Sequence, residues 1–453
     1  MKPKVLFIML VGFCMLCACS SDDENNLPIP IPDAEESSDS VSDVMPGSAL
    51  KELTFIEDGT GAFDASAYAS PFTVDEMAVG DGFVHFAFNY FRETMTENAN
   101  APALCVSPYS ASILLSMLAN GAGDVTKAEI CEALGIDLSA IGVLDSYCLK
   151  TADVICNEDT SVCFQQANAM WAQYQFPVYR SFEWNLANFF DAEIHGIDFG
   201  DPTAGQTINA WSSEKTHGMI KKIVDDGSLM GTILMMANAI YFKAPWTVDF
   251  GDNVVKGQFY QAGGTASTVD MMFRNDTIQY VSREGFDMVG LPYGNSGSES
   301  YMMYIALPHD RESSIASFVE SLSTEEWNAS KLSLADEYVG LSMPKFRMDM
   351  CLDLRQILYR MGLQAMFGQD KADFSLISPS KIGISSIIQD VSLKVDQYGS
   401  EAAAVTHIIW ATDTGEGDYK PKLIPFVVNR PFFFTIEERT TGTILFMGIV
   451  NSL

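Results

Sequence analysis

Residues 426–436 read Phe426-Val427-Val428-Asn429-Arg430-Pro431-Phe432-Phe433-Phe434-Thr435-Ile436, and Thr441-Gly442-Thr443-Ile444-Leu445-Phe446-Met447-Gly448 follows after four residues. Aromatic and β-branched residues are enriched in strands. Phe432–Ile436 and Thr443–Val450 are therefore expected as the two strands that close the chain. Further strands are expected upstream at Thr232–Phe242, Phe286–Leu291, Ser300–Leu307, Tyr338–Pro344 and Ile384–Val395.

Helical spacing of apolar residues prevails earlier, at Gly82–Phe91, Ser110–Leu118, Lys127–Leu134, Val178–Phe190 and from Thr207 to Thr216. Leu352–Met361 reads as an amphipathic helix beginning near Asp349 and stopped by Gly362. Helices come first and strands later, without strand–helix alternation, so the fold class is α+β in one body. No internal linker is evident between about Val74 and Leu453.

The chain has 453 residues, of which 47% are hydrophobic, enough for a large core. Its formal net charge of -32 repels phosphate, which argues against nucleic-acid partners and against attachment to anionic lipid through a basic patch.

Lys2 and Lys4 precede the apolar run Val5–Leu16, a signal-peptide pattern too short to span a membrane comfortably. It ends in Leu16-Cys17-Ala18-Cys19, which resembles a bacterial lipobox. That resemblance implies cleavage before Cys19 and a lipid on its thiol, the only expected membrane contact. The acidic run Ser20–Asn26 looks like the surface-export signal of Bacteroidetes lipoproteins, with a generic acidic linker as the other reading. Pro, Ser and Asp continue to about Gly47 as an extended tether. The expected organisation is thus 1–18 signal peptide, 19–74 lipidated Cys, tether and lead-in, and 75–453 folded domain. The expected location is the outer membrane, facing outward.

Catalytic motifs are not evident. The five His (His85, His195, His217, His309, His407) form no H-E-x-x-H pattern and no metal-spaced pair. Gly294-Asn295-Ser296-Gly297 fails as a nucleophile elbow because Ser298 stands where the second Gly belongs. No metal or cofactor is expected. Cys148, Cys156 and Cys163 are close enough for one local disulfide, with buried free thiols equally compatible.

The residues quoted at the outset resemble the serpin signature throughout: apolar-x-apolar, Asn, a basic residue, Pro, Phe, two apolar residues, x and apolar. Ser107-Pro108-Tyr109-Ser110, Ala119-Asn120-Gly121-Ala122, Thr216-His217-Gly218-Met219-Ile220, Asn238–Trp246 and Pro344-Lys345-Phe346 fall in the family's order. The resemblance spans about residues 75–453. It implies about nine helices and three β-sheets with an exposed reactive-centre loop. It also implies a monomeric inhibitor rather than an enzyme, whose partner is a serine or cysteine protease. That protease cuts the loop, becomes acylated, and is trapped as the loop inserts into the central sheet. The alternative is a non-inhibitory serpin acting as a surface binding or chaperone-like module.

Within this resemblance Gly399, Ser400, Glu401, Ala402, Ala403, Ala404, Val405 and Thr406 form the hinge. By strand alternation Ser400, Ala402, Ala404, Thr406 and Ile408 share one face, four of the five small, and this face would be buried on insertion. Gly399 is read as the pivot. The bond usually cut lies fourteen residues after the hinge Gly, which gives Asp413-Thr414, with Thr412 as the second choice. Lys420 lies seven residues further, about 23 Å of slack, and is set aside. Ser107, Ser110 and Asn238 match the polar cluster that controls sheet opening, where the family's His is Gln389. Trp246 matches the residue at the insertion point. Gln397 and Tyr398 replace the usual acidic residues before the Gly, and Val405 replaces a smaller residue.

Overall fold

A computed structural model describes residues 49–99, 101–225, 229–261, 264–297, 299–311, 314–368, 370–384, 387–400 and 422–453. The first part of the chain contributes strands β1 (Leu50–Lys51), β2 (Thr54–Ile56), β3 (Ala103–Val106), β4 (Cys163–Gln173), β5 (Pro177–Tyr179) and β6 (Ala192–Ile197). Helices α1 (Val74–Glu97), α2 (Pro108–Gly121), α3 (Asp124–Ala133), α4 (Ile141–Asn157), α5 (Arg180–Phe190) and α6 (Ala204–Lys215) are interspersed. Then come β7 (Leu234–Pro245), β8 (Val254–Tyr260), β9 (Ala266–Ser282), β10 (Phe286–Tyr293) and β11 (Tyr301–Pro308). Helices α7 (Ile315–Ser321) and α8 (Thr324–Leu332) lead to β12 (Ala335–Pro344), β13 (Phe346–Asp353) and α9 (Arg355–Arg360). The chain closes with β14 (Ile388–Asp396), β15 (Gly399–Ser400), β16 (Ile424–Val427), β17 (Phe432–Glu438) and β18 (Ile444–Val450).

Among the described residues this makes nine α-helices and three sheets, in agreement with the expected α+β architecture. One sheet has seven strands in the order β1-β6-β4-β7-β15-β14-β13. A second runs β16-β12-β9-β10-β11-β17-β18-β3, with β8 also on β9, and β2 with β5 forms the third. The two closing strands are buried along their length. The buried carboxylates at the end of β17 are hydrogen-bonded, Glu437 to Trp327 and Lys331 and Glu438 to Thr441.

Helix α1 is held at its start by a capping box. Thr73 and Glu76 satisfy each other's backbone N–H groups, which would otherwise be unpaired at a helix N-terminus. The lead-in before α1 is part of the body: β1 pairs with β6, and Ala49 is fully buried beside Trp171 and Trp211.

Some expectations are corrected. The segment from Asp349 continues as strand β13 to Asp353, and helix α9 is shorter than Leu352–Met361. Pairing of Phe346–Asp353 with β14 supplies a partner for every residue, which outweighs the helical spacing. Gly362 does follow the helix, at φ +99°, as a left-handed terminator. Val178 and Tyr179 are likewise strand, because β2 pairs with them. Cys148 is a buried free thiol and not half of a disulfide.

Candidate functional site: the seam of the seven-stranded sheet

Strands β7 and β14 have no ladder with each other, and only the two residues of β15 stand between them. Gly399 pairs with Pro245 on one side and Asp396 on the other, and Ser400 with Ala244 and Val395. Beyond Ser400 the two long strands continue with no described strand between them. A cavity of about 520 Å³ opens at the far end, lined by Leu234, Met235 and Met236 of β7, Ile388 of β14 and Cys351 of β13.

The top of the seam is closed by Trp246. Its backbone N–H donates to the carbonyl of Tyr398 (2.9 Å), and its indole Nε1–H donates to the carbonyl of Asp396 (2.9 Å). Its ring stacks on Tyr293 at 4.3 Å with planes 12° apart. The Tyr293 hydroxyl is 2.7 Å from Ser400 Oγ, and Ser400 is fully buried. Burial without charge compensation pushes the Tyr293 phenol well above its ordinary pKa, so it remains neutral.

Gly399 is demanded by packing more than by flexibility. Its φ is +149°, and a Cβ there would fall 2.1 Å from the Ala244 carbonyl oxygen. Gln397 and Tyr398 act through their backbones: the N–H groups of Phe250 and Trp246 donate to their carbonyls at 2.9 Å each. A carboxylate is therefore not needed at either position to hold this turn.

Beneath the seam the four residues expected as a cluster come together. Ser110 Oγ donates to Asn238 Oδ1, and Asn238 Nδ2 donates to Asn168 Oδ1 at 2.6 Å. Asn168 Nδ2 in turn donates to the carbonyl of Phe190 at 2.6 Å. On the other rim Gln389 Nε2 donates to the Ser107 carbonyl (2.8 Å). Its Oε1 accepts from the Ser107 N–H (3.2 Å) and the Tyr90 hydroxyl (2.9 Å). Ser107 Oγ, which donates to the Leu445 carbonyl, also accepts from the Ser110 N–H at the start of α2. One chain of hydrogen bonds thus crosses under the seam from β4 to β14. Every member is uncharged, so none of it titrates near neutral pH.

Sequence reasoning missed Tyr90, Asn168, Tyr293 and Asp396. Asn168 carried a signal, since a polar residue inside the apolar strand Ala167–Ala172 must find a buried partner. Tyr90 and Tyr293 looked like ordinary aromatic core. Glu401, Ala402, Ala403, Ala404, Val405, Thr406, Thr412, Asp413, Thr414 and Cys19 lie outside the described residues.

A family model described as serpin, a serine protease inhibitor, matches residues 82–453. A serpin-like protein of Methanosarcina acetivorans is 30% identical over 410 residues, covering 89% of this chain and 94% of that protein. Iripin-2 of Ixodes ricinus is 30% identical over 355 residues, covering 77% and 87%. The native-state crystal structure of the thermophilic serpin tengpin superimposes with a TM-score of 0.73 at 24% identity, covering 88% of this chain and 98% of that one.

Proposed function

The chain belongs to the serpin family, and from that premise we propose that it inhibits a serine or cysteine protease by trapping it as an acyl-enzyme. The protease's nucleophile attacks the carbonyl carbon of the bait residue, the peptide bond breaks, and Thr414 leaves as a new amino terminus. The ester or thioester to Asp413 persists because the loop then enters the seam and drags the protease with it. The released strain of the native fold drives that step.

The observation that carries this reading is the seam. Its upper end already holds Gly399 and Ser400 as a strand between β7 and β14, with Ser400 facing the core. Continued alternation turns Ala402, Ala404 and Thr406 inward on the same face. In the Gly399–Pro245 register, the first residue of β7, Leu234, falls opposite residue 410. Asp413 then lies three residues beyond the strand, about 10 Å. Lys420 would lie seven residues further, leaving the protease untensioned, so Asp413 is the bait and Thr412 the second choice.

A panel of serine and cysteine proteases tests this. One of them should form a complex that survives SDS, with the intact mass of the released C-terminal fragment identifying the cut bond. Nicking of the loop by every active protease, with none trapped, rejects inhibition in favour of a non-inhibitory binding role. We further propose that Cys19 carries the lipid and that the body sits outside the outer membrane. This rests on the lipobox-like Leu16–Cys19 and the acidic run after it. Cys19→Ala should abolish incorporation of labelled palmitate and release the protein from the membrane fraction.

A further inference from the structure

Among the described residues, three of the exposed large apolar side chains meet on one surface: Leu423 (43% exposed), Val427 (40%) and Phe273 (39%). Scattered exposed apolar residues are ordinary, but contiguous ones mark binding surfaces. These are contiguous through strand register. Phe273 of β9 pairs with Ser342 of β12, which pairs with Val427 of β16. One row along, Asn275, Gly340 and Pro425 align, and the next pair is Thr277 with Tyr338. Leu423 lies over Gly340, where an added Cβ would meet its methyl carbons at 3.4 Å. The opposite face carries Val339, Leu341 and Phe426, all buried, so alternation assigns the first set to the outer face.

We propose that the outer face of β9, β12 and β16 is a docking surface for the target protease, and specifically for an apolar, weakly charged rim beside its primed-side subsites. This rests on the inhibitor reading above. Two observations choose that occupant. The segment 401–421 lies outside the described residues and is joined covalently to this face at Lys422 and Leu423, so the primed side of the bait is tethered to its edge. From Thr414 to Leu423 is at most about 30 Å of extended chain, within one protease's width of the cut bond. Second, the rows hold Asn275, Thr277, Ser342 and Gly340 between the apolar residues and no charge, in a chain of net charge -32. Depletion of charge with an aromatic centre is the composition of an interface core. A stable contact covers about 800 Å² per partner, more than a few bait residues supply, so the remainder must come from surface adjoining the loop.

Docking here slows escape of the encounter complex before acylation, and so raises the rate of trapping without altering its outcome. The test is the full-length double variant Phe273→Ser/Val427→Ser, with Leu423→Ser separately, against the protease the panel identifies. The expected result is an association rate constant lower by about tenfold, equally at low and high salt, with unchanged stoichiometry of inhibition and unchanged melting temperature. A rate within twofold of the parent overturns the proposal. So does a faster rate, which would mean that the loop itself lies on this face. Sedimentation showing a parent dimer that the double variant dissociates also overturns it, in favour of self-association. Should a protease only cleave the loop, kcat/KM for cleavage replaces the trapping rate, since docking precedes acylation in both fates. That outcome separates failure of the inhibitor reading from failure of the docking face.

Discussion

Asn238 and Gln389 stand in the same row on opposite rims of the seam, each seven residues along its strand from the row in which Gly399 pairs with Pro245 and Asp396. The residue of the loop that would fill that row on insertion is Thr406, seven residues after Gly399. A small hydroxyl side chain would therefore arrive between two amides that are tied to α2 through Ser110 and Ser107.

Gln389 is the less replaceable of the pair. Substituting Ala leaves the Tyr90 hydroxyl and the Ser107 N–H and carbonyl without their partner in a buried site. Removing one partner of a buried hydrogen bond costs about 1–3 kcal/mol. Gln389→Ala should lower the urea midpoint and speed spontaneous loss of inhibitory activity on incubation. Gln389→His restores the family's residue and adds a titratable group near pH 6.5. Burial depresses its folded pKa, so its stability contribution is present above about pH 6.5 and lost as pH falls. The difference in melting temperature between parent and Gln389→His should widen from pH 8 to pH 5.5; a constant difference contradicts the buried placement.

Tyr293 controls the top of the seam through one hydroxyl. Tyr293→Phe preserves the stack on Trp246 but strands Ser400 Oγ in a fully buried position. The cost is about 1–3 kcal/mol and falls on β15. Hydrogen exchange at Ser400 should accelerate while exchange in β17 and β18 stays unchanged. Combining it with Ser400→Ala, which removes both polar partners, should recover much of the loss.

Asp390 sits one residue from Gln389 on the other face of β14, opposite Cys351. Burial pushes its carboxyl up to about 6, partly opposed by a hydrogen bond with the Cys351 thiol. A carboxyl whose folded pKa exceeds its unfolded value of about 3.9 supports the fold below that value. That support is lost as pH rises through about 6. Asp390→Asn should therefore raise the melting temperature at pH 7.5, with the advantage shrinking toward pH 4. Equal melting temperatures at pH 7.5 would show that the carboxyl is not held in an unfavourable site.

The closing strands were legible because Phe432–Ile436 and Thr443–Val450 are short, largely apolar runs rich in aromatic and β-branched residues, the composition of a covered strand. Ser107, Ser110, Asn238 and Trp246 were legible through family order, not through local pattern. Strands β4 and β9 were not, because alternation in β9 is blurred where it passes from β8 to β12 and its facing neighbours change. Asn168 gains meaning only from the register that places it opposite Asn238. Residues 335–337 of β12 are exposed and charged at two of three positions, and nothing local announces a strand that pairs with β9. The pairing comes from a segment about 60 residues earlier, which no window of periodicity can see.

The inward parity of Ser400 makes the sharpest claim about the hinge. Because Ser400 is buried and bonded to Tyr293, continued alternation on insertion would carry residue 402 to the same interior, one pair below, between Phe242 of β7 and Leu393 of β14 in the extended register. Phe242 and Leu393 are themselves buried. A guanidinium forced between them could be neither hydrated nor paired, and burying an uncompensated charge costs several kcal/mol. Ala402→Arg should therefore stall insertion after cleavage while leaving docking and acylation intact, since the bait lies eleven residues away along the chain. The same substitution at Ala403, which would face outward on insertion, should meet no such barrier. Against the protease identified by the panel, Ala402→Arg should raise the stoichiometry of inhibition at least severalfold and leave active protease beside cleaved inhibitor. Ala403→Arg should stay close to the parent. Equal stoichiometries for the two variants would mean that the strand does not keep the Ser400 parity, and the register-based choice of Asp413 would fall with it.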